Sequence, residues 1–139
     1  RTEGESPYKI QQDLQEMMQD LVGIVRTEKE MLRAIEGIQG LKDRAEKVQA
    51  PGNREYNPGW HTSLDLKHLL TVAEAIARSA VERKESRGAQ FRDDYPEKDP
   101  AFGKINIVLR KTGNGGMQVE RVPVPEMPAE LQAIIKENQ

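Results

Sequence analysis

The sequence predicts a mainly α fold: a three-helix bundle followed by a β-hairpin and a short C-terminal helix. Three observations carry that prediction. Apolar residues recur at three- and four-residue spacing over three stretches, about 7–22, 28–48 and 63–87. The connections between these stretches are short, which favours neighbouring helices in one bundle. Beyond Pro96 the period changes to two on either side of a glycine-rich turn, the pattern of a hairpin. The chain therefore divides into a bundle, residues 1–96, and a tail, residues 97–139, packed on the bundle or extending from it.

Each element has its own signals. Ser6-Pro7 suits a helix start, with Ser6 as cap and Pro7 at the first helical position. Ile10, Leu14, Met17 or Met18, and Leu21 then form one stripe, which Gly23 ends. Thr27 and Glu30 form a T-x-x-E capping box for the second helix. Its stripe runs through Met31, Ala34, Ile35, Ile38, Leu41, Ala45 and Val48. Gly37 and Gly40 each cost about 1 kcal/mol relative to alanine inside a helix, so each marks either a close helix crossing or a local weakness. Residues 50–61, APGNREYNPGWH, contain two breakers, no apolar period and the single tryptophan, and read as a connector. The third helix is expected to start at Thr62 or Ser63, with Asp65 favourable in its first turn. Its stripe is Leu66, Leu69, Leu70, Ala73, Ile76, Ala77 and Ala80, and its expected end is near Arg87, where Gly88 would supply a left-handed residue. In the tail, Ile105, Ile107 and Leu109 alternate with Asn106, Val108 and Arg110, and Gly113–Gly116 forms the turn of a hairpin over 104–124. Pro123 and Pro125 stop the pairing. Pro128 opens a last short helix through Leu131, Ile134 and Ile135.

Composition narrows the chemistry. Charged residues make up 32 % of 139, the formal net charge is −2, and aromatics are only 4 %. Neither a basic face for nucleic acid nor a platform for stacking bases is expected. The absence of cysteine removes disulfides, thiol nucleophiles and Cys-ligated metals, and fits a cytoplasmic setting. No stretch is long and apolar enough to span a bilayer.

The motifs that invite a catalytic reading have plainer explanations. The glycines at 113–116 precede a strand rather than a helix, which excludes a dinucleotide fingerprint. His61 and His68 lack the spacing and third ligand of a zinc site, so no metal ligands are assigned. Asp93 and Asp94 lie among arginines and read as ionised ion-pair partners. The charged run Glu82–Gly88, followed by Arg92–Pro96, is read first as a network with another domain or subunit, second as a solvated helix end, and third as an anion site.

These same residues carry a family resemblance. Arg83-Lys84-Glu85-Ser86-Arg87-Gly88-Ala89 and Arg92-Asp93-Asp94-Tyr95-Pro96 resemble the R-K-E-S-R-G-A-H-x-R-x-D-(F/Y)-P signature in the C-terminal region of succinate dehydrogenase and fumarate reductase flavoprotein subunits. The similarity extends back through Leu66, Leu69, Leu70, Ala73 and Ala75 to Gln12, Met18, Gly23, Ile24 and Arg26, and forward to Pro125–Pro128. Gln90 departs from the usual histidine, and Ala101–Asn106 from a Trp and Lys-His-Thr run, which suggests a divergent bacterial branch. L-aspartate oxidase shares the E-S-R-G motif but is the weaker match, because its C-terminal region usually lacks the extended hairpin tail.

The resemblance implies a helical C-terminal domain of a parent enzyme that interconverts succinate and fumarate. FAD would sit in an N-terminal domain outside this chain, and electrons would pass to an iron–sulfur subunit. No catalytic or cofactor-binding residue is carried over onto this sequence. Glu85, Arg87, Arg92 and Asp94 are expected to anchor the packing of this domain on the flavin domain. The implied partners are that domain, the iron–sulfur subunit and, indirectly, membrane anchor subunits at the cytoplasmic face of the inner membrane. The opening RTEGESP reads as a cut in mid-chain. The rival reading is a stand-alone helical-bundle interaction module. A covered docking face would leave an exposed apolar patch on the chain taken alone and a tendency to dimerise.

Overall fold

The structure, a computed structural model, describes residues 4–138. Residues 1–3 of the opening stretch and Gln139 lie outside the described residues. The predicted architecture is the one observed. Helices α1 (Pro7–Leu21), α2 (Glu28–Ala45) and α3 (Pro58–Glu82) form the bundle. Two-residue strands β1 (Val25–Arg26) and β2 (Phe91–Arg92) pair in parallel beside it. The antiparallel hairpin β3 (Ile105–Lys111) and β4 (Met117–Pro123) follows, then α4 (Ala129–Glu137).

The core is the meeting of the three predicted stripes: Ile10 and Leu14 from α1, Met31, Ala34, Ile38 and Leu41 from α2, and Leu66, Leu70, Ala73, Ala77 and Ala80 from α3. Gly37 and Gly40 turn out to differ. A Cβ at Gly37 would collide with Met17 Sδ on α1, so its absence permits that crossing, whereas a Cβ at Gly40 meets nothing within 4 Å. A pair not anticipated from the sequence joins α2 to α3, where Lys42 meets the buried Glu74, itself held by Arg78 at 2.7 Å.

The caps divide. Thr27 is confirmed: Oγ1 accepts from Glu30 N at 3.3 Å and donates to the Glu30 carboxylate at 2.8 Å. Ser6 occupies the predicted cap position of α1, but its side chain makes no capping bond. The second helix ends at Ala45, three residues earlier than expected, and Val48 instead bridges to Glu5.

Both ends of α3 are corrected. Asn57 caps it by accepting from Trp60 N at 3.2 Å, and Pro58 takes the first helical position, so Trp60 and His61 belong to the helix rather than to the connector. Thr62 and Ser63 lie inside the first turns and donate back to Pro58 O and Gly59 O. The helix stops at Glu82, with Arg83 extended. Gly88 does have the left-handed φ of +60°, but in a tight turn where Arg87 and Gln90 bridge.

Two consequences of the stripe geometry matter later. Leu69 and Ile76, predicted as core, are 38 % and 45 % exposed, and Val72 beside them is 57 % exposed. Every residue of α4 is exposed, so this helix extends from the body with Leu131, Ile134 and Ile135 facing solvent. The hairpin lies against the end of α3, where Arg121 reaches Glu82 at 2.6 Å and stacks over Phe102.

Candidate functional site

The charged run after α3 folds into a compact knot that satisfies two helix ends at once. A helix leaves its last carbonyls and its first N–H groups without partners, with partial negative charge at the former and positive at the latter. Arg92, in β2, is fully buried and points back at the end of α3. Its Nη1 donates to Ala80 O at 2.9 Å, Val81 O at 3.2 Å and Arg83 O at 3.1 Å. The other side of the same guanidinium grips Asp94 as a two-pronged pair, Nε and Nη2 each at 2.7 Å from an oxygen. Asp94 in turn accepts from Glu28 N at 3.0 Å, in the first turn of α2. A cation therefore meets the negative end of α3 and an anion the positive end of α2, with the ion pair bridging them. The Arg92 hydrogen bonds hold the Asp94 carboxyl down at about 2.

Glu85 is the second buried charge. Its carboxylate accepts from Arg87 Nε at 2.7 Å and Nη2 at 3.1 Å, from Arg83 Nη1 at 2.6 Å, and from Asp99 N at 2.8 Å. The Arg87 contact, helped by the Asp99 N–H and Arg83 against the opposing effect of burial, takes this carboxyl down to about 2. Arg83 and Arg87 also donate to Phe102 O and Asp99 O, so Glu85 fastens residues 99–105 to the exit of α3. Ser86 ties the turn together, with its Oγ accepting from Arg92 N at 2.8 Å and donating to Tyr95 O at 2.9 Å. Gln90 donates to Arg83 O and Glu85 O, and accepts from Arg26 Nη1 at 2.9 Å.

The four residues singled out from the sequence thus converge in two linked pairs, Glu85 with Arg87 and Arg92 with Asp94. Glu85 and Arg92 are fully enclosed by this chain, whereas Arg87 keeps 38 % of its side chain exposed. Arg83, Ser86 and Gln90 complete the knot. Of the two acids expected to be ion-paired, Asp94 pairs with Arg92, whereas Asp93 makes no ion pair among the described residues. His61 and His68 share the continuous α3, and among the described residues no group of three His, Asp or Glu is placed to hold a metal.

Comparison with known proteins places this geometry. A family described as "Fumarate reductase flavoprotein C-term" matches residues 11–135. The chain belongs to that family. The fumarate reductase flavoprotein subunit of Haemophilus influenzae is 34 % identical over 121 residues, covering 86 % of this chain and 20 % of that protein. The succinate dehydrogenase flavoprotein subunit of Coxiella burnetii is 35 % identical over 111 residues, covering 79 % of this chain and 19 % of that subunit. Among solved structures, Mycobacterium smegmatis Sdh1 in complex with UQ1 superposes with a TM-score of 0.86 at 38 % identity, over 96 % of this chain and 23 % of that one. The chain spans about a fifth of the length of the curated relatives it matches. The knot of Glu85, Arg87, Arg92 and Asp94 is therefore a feature of a C-terminal flavoprotein domain, placed where the last bundle helix passes into the hairpin.

Proposed function

We propose that this domain serves a flavoprotein subunit that interconverts succinate and fumarate through FAD and hands electrons to an iron–sulfur subunit. Its own contribution is packing and interdomain contact, while flavin and dicarboxylate are held by the remainder of the polypeptide. The observation that carries this reading is the family match over residues 11–135, with relatives of both the fumarate reductase and the succinate dehydrogenase kind at 34 % and 35 % identity. The knot supports a role in shape rather than turnover. Glu85, Arg92 and Asp94 direct their charges at partners within the domain, so they act by fixing the exit of α3. Arg87 is the anchor residue exposed enough to reach a neighbouring domain as well. The exposed side chains of Leu69, Val72 and Ile76 fit a face that another domain covers.

The test is made on the native polypeptide, detected in source-cell extract with an antibody against residues 4–138. The expected result is a band several times larger than 15.7 kDa that carries flavin and travels with an iron–sulfur protein. A flavin-free band of the size of this chain would overturn the proposal in favour of a stand-alone interaction module.

A further inference from the structure

Arg26 stands apart from the other enclosed arginines. Six arginines among the described residues are buried or half-buried. Arg44, Arg78, Arg83, Arg87 and Arg92 each pair with a carboxylate, and Arg26 does not. Its Nε donates to Gly23 O at 2.5 Å and its Nη1 to Gln90 Oε1 at 2.9 Å. Both acceptors are neutral, and Nη2 is left over. Burial first, and then the neighbouring Arg92 charge, disfavour this cation. These two neutral acceptors offset part of that cost, and no carboxylate among the described residues adds the rest, as an opposing charge would.

The guanidinium faces an open cleft of about 790 Å³ whose walls include Val72, Ile76, Arg83, Asn106 and Ile107. No acid lines it, and Arg83 already shares the Glu85 carboxylate with Arg87. Val72 and Ile76 also line a second, almost wholly apolar groove with Leu14, Met18 and Leu69. The two cavities form one strip along α3, apolar over most of its length and cationic at the Arg26 end. A free small dicarboxylate would use the cation and leave the apolar strip uncovered. A second copy of this domain laid strip to strip would cover the apolar part, but it would bring another Arg26 and no acid from the cleft.

We infer that this strip is the docking site for a segment of the longer polypeptide outside these residues, one that lays apolar side chains along α3 and ends with an Asp or Glu carboxylate on Arg26 Nη2. The inference rests on the proposed function above. The curated relatives, about five times the length of this chain, have ample polypeptide to supply such a segment.

The experiment uses the complete native polypeptide carrying Arg26→Lys, treated with a water-soluble carbodiimide that joins amines to adjacent carboxylates. Peptide mass spectrometry should find an isopeptide bond between position 26 and an Asp or Glu beyond residues 1–139. Coupling only within residues 1–139, coupling to a second copy, or no coupling at all would overturn the inference. So would a run with added succinate that leaves succinate itself on the new amine. A wild-type measurement guards against a misfolded variant: with phenylglyoxal, Arg26 should react about as slowly as Arg83, an enclosed arginine already paired. Reactivity about tenfold above Arg83 would correspond to the missing pair and overturn the inference. A flavin-bearing polypeptide that fails these tests refutes the docking site alone. A native polypeptide no longer than this chain refutes the functional reading with it.

Discussion

Replacing Glu85 with glutamine removes one charge and almost no volume from the centre of the knot. The native carboxylate is fully enclosed and accepts four hydrogen bonds, three of them from Arg83 and Arg87. Its depression from the ordinary 4.5 to about 2 corresponds to about 3 kcal/mol of stability at neutral pH. Arg87 is partly exposed, and solvent screening there lowers the expected loss to about 2–3 kcal/mol. The sign follows from the direction of the shift. The folded state holds this carboxyl ionised, so its contribution is complete above about 4.5 and is lost as pH falls towards about 2. Asp94 fades over a similar window, from 3.8 to about 2, in both proteins. The difference between wild type and Glu85→Gln therefore isolates Glu85. Urea unfolding followed by far-ultraviolet circular dichroism should show that difference at pH 7 and show it shrinking steadily below pH 4.5. A loss of equal size at every pH would mean that packing, not charge, is what Glu85 supplies. No loss at pH 7 would refute the reasoning outright.

Three further outcomes are expected. Arg92→Met strips the partners from the Ala80, Val81 and Arg83 carbonyls and strands Asp94, so it should cost about 3–5 kcal/mol in urea unfolding; Arg92→Lys should recover only part, since an ammonium cannot span both groups. Gly40→Ala should stabilise by up to about 1 kcal/mol, because the added methyl meets open space, whereas Gly37→Ala should gain clearly less or lose, because Met17 must move; thermal unfolding of the two variants side by side decides it. Asn57→Ala should lose about 1 kcal/mol as the cap of α3, while Ser63→Ala, inside the helix, should change stability by less than about 0.5 kcal/mol; equal losses would contradict the observed helix start.

What the sequence made legible was whatever depends on neighbours along the chain. The stripes of α1 and α2, the Thr27–Glu30 box and the hairpin at 105–123 are all written in spacings of two to four residues, and all are present. The start of α3 was written there too, as Asn57 followed by Pro58, but two similar Pro-Gly dipeptides fall within nine residues and both read as breakers. One of them, Pro58-Gly59, is the first turn of a helix. Position along the stripe was also an incomplete guide. Leu69 and Ile76 carry the right period, yet they sit at the margin of the buried arc, on the side where α1 and the hairpin leave α3 uncovered.

The end of α3 illustrates what a local reading cannot reach. Helical propensity carries no reason to stop at Glu82, and the glycine that looks like a terminator stands six residues further on, at Gly88. The helix stops where a guanidinium ten residues beyond Glu82 takes its final carbonyls, and that guanidinium is held in place by a carboxylate that also caps the start of α2. The terminator is thus shared between two helices and delivered by a two-residue parallel strand, β1 with β2, whose partners are 66 residues apart. The residues themselves, Glu85, Arg87, Arg92 and Asp94, stood out in the sequence, but their inward direction is set only by that pairing. The same pairing also places Arg26 beside Arg92 and Gln90, where its side chain pairs with no carboxylate among the described residues. The arrangement that encloses one arginine with its partner leaves the other half-buried without one, and this is why Arg26, which no motif singled out for its charge, carries the clearest invitation to a group from outside the domain.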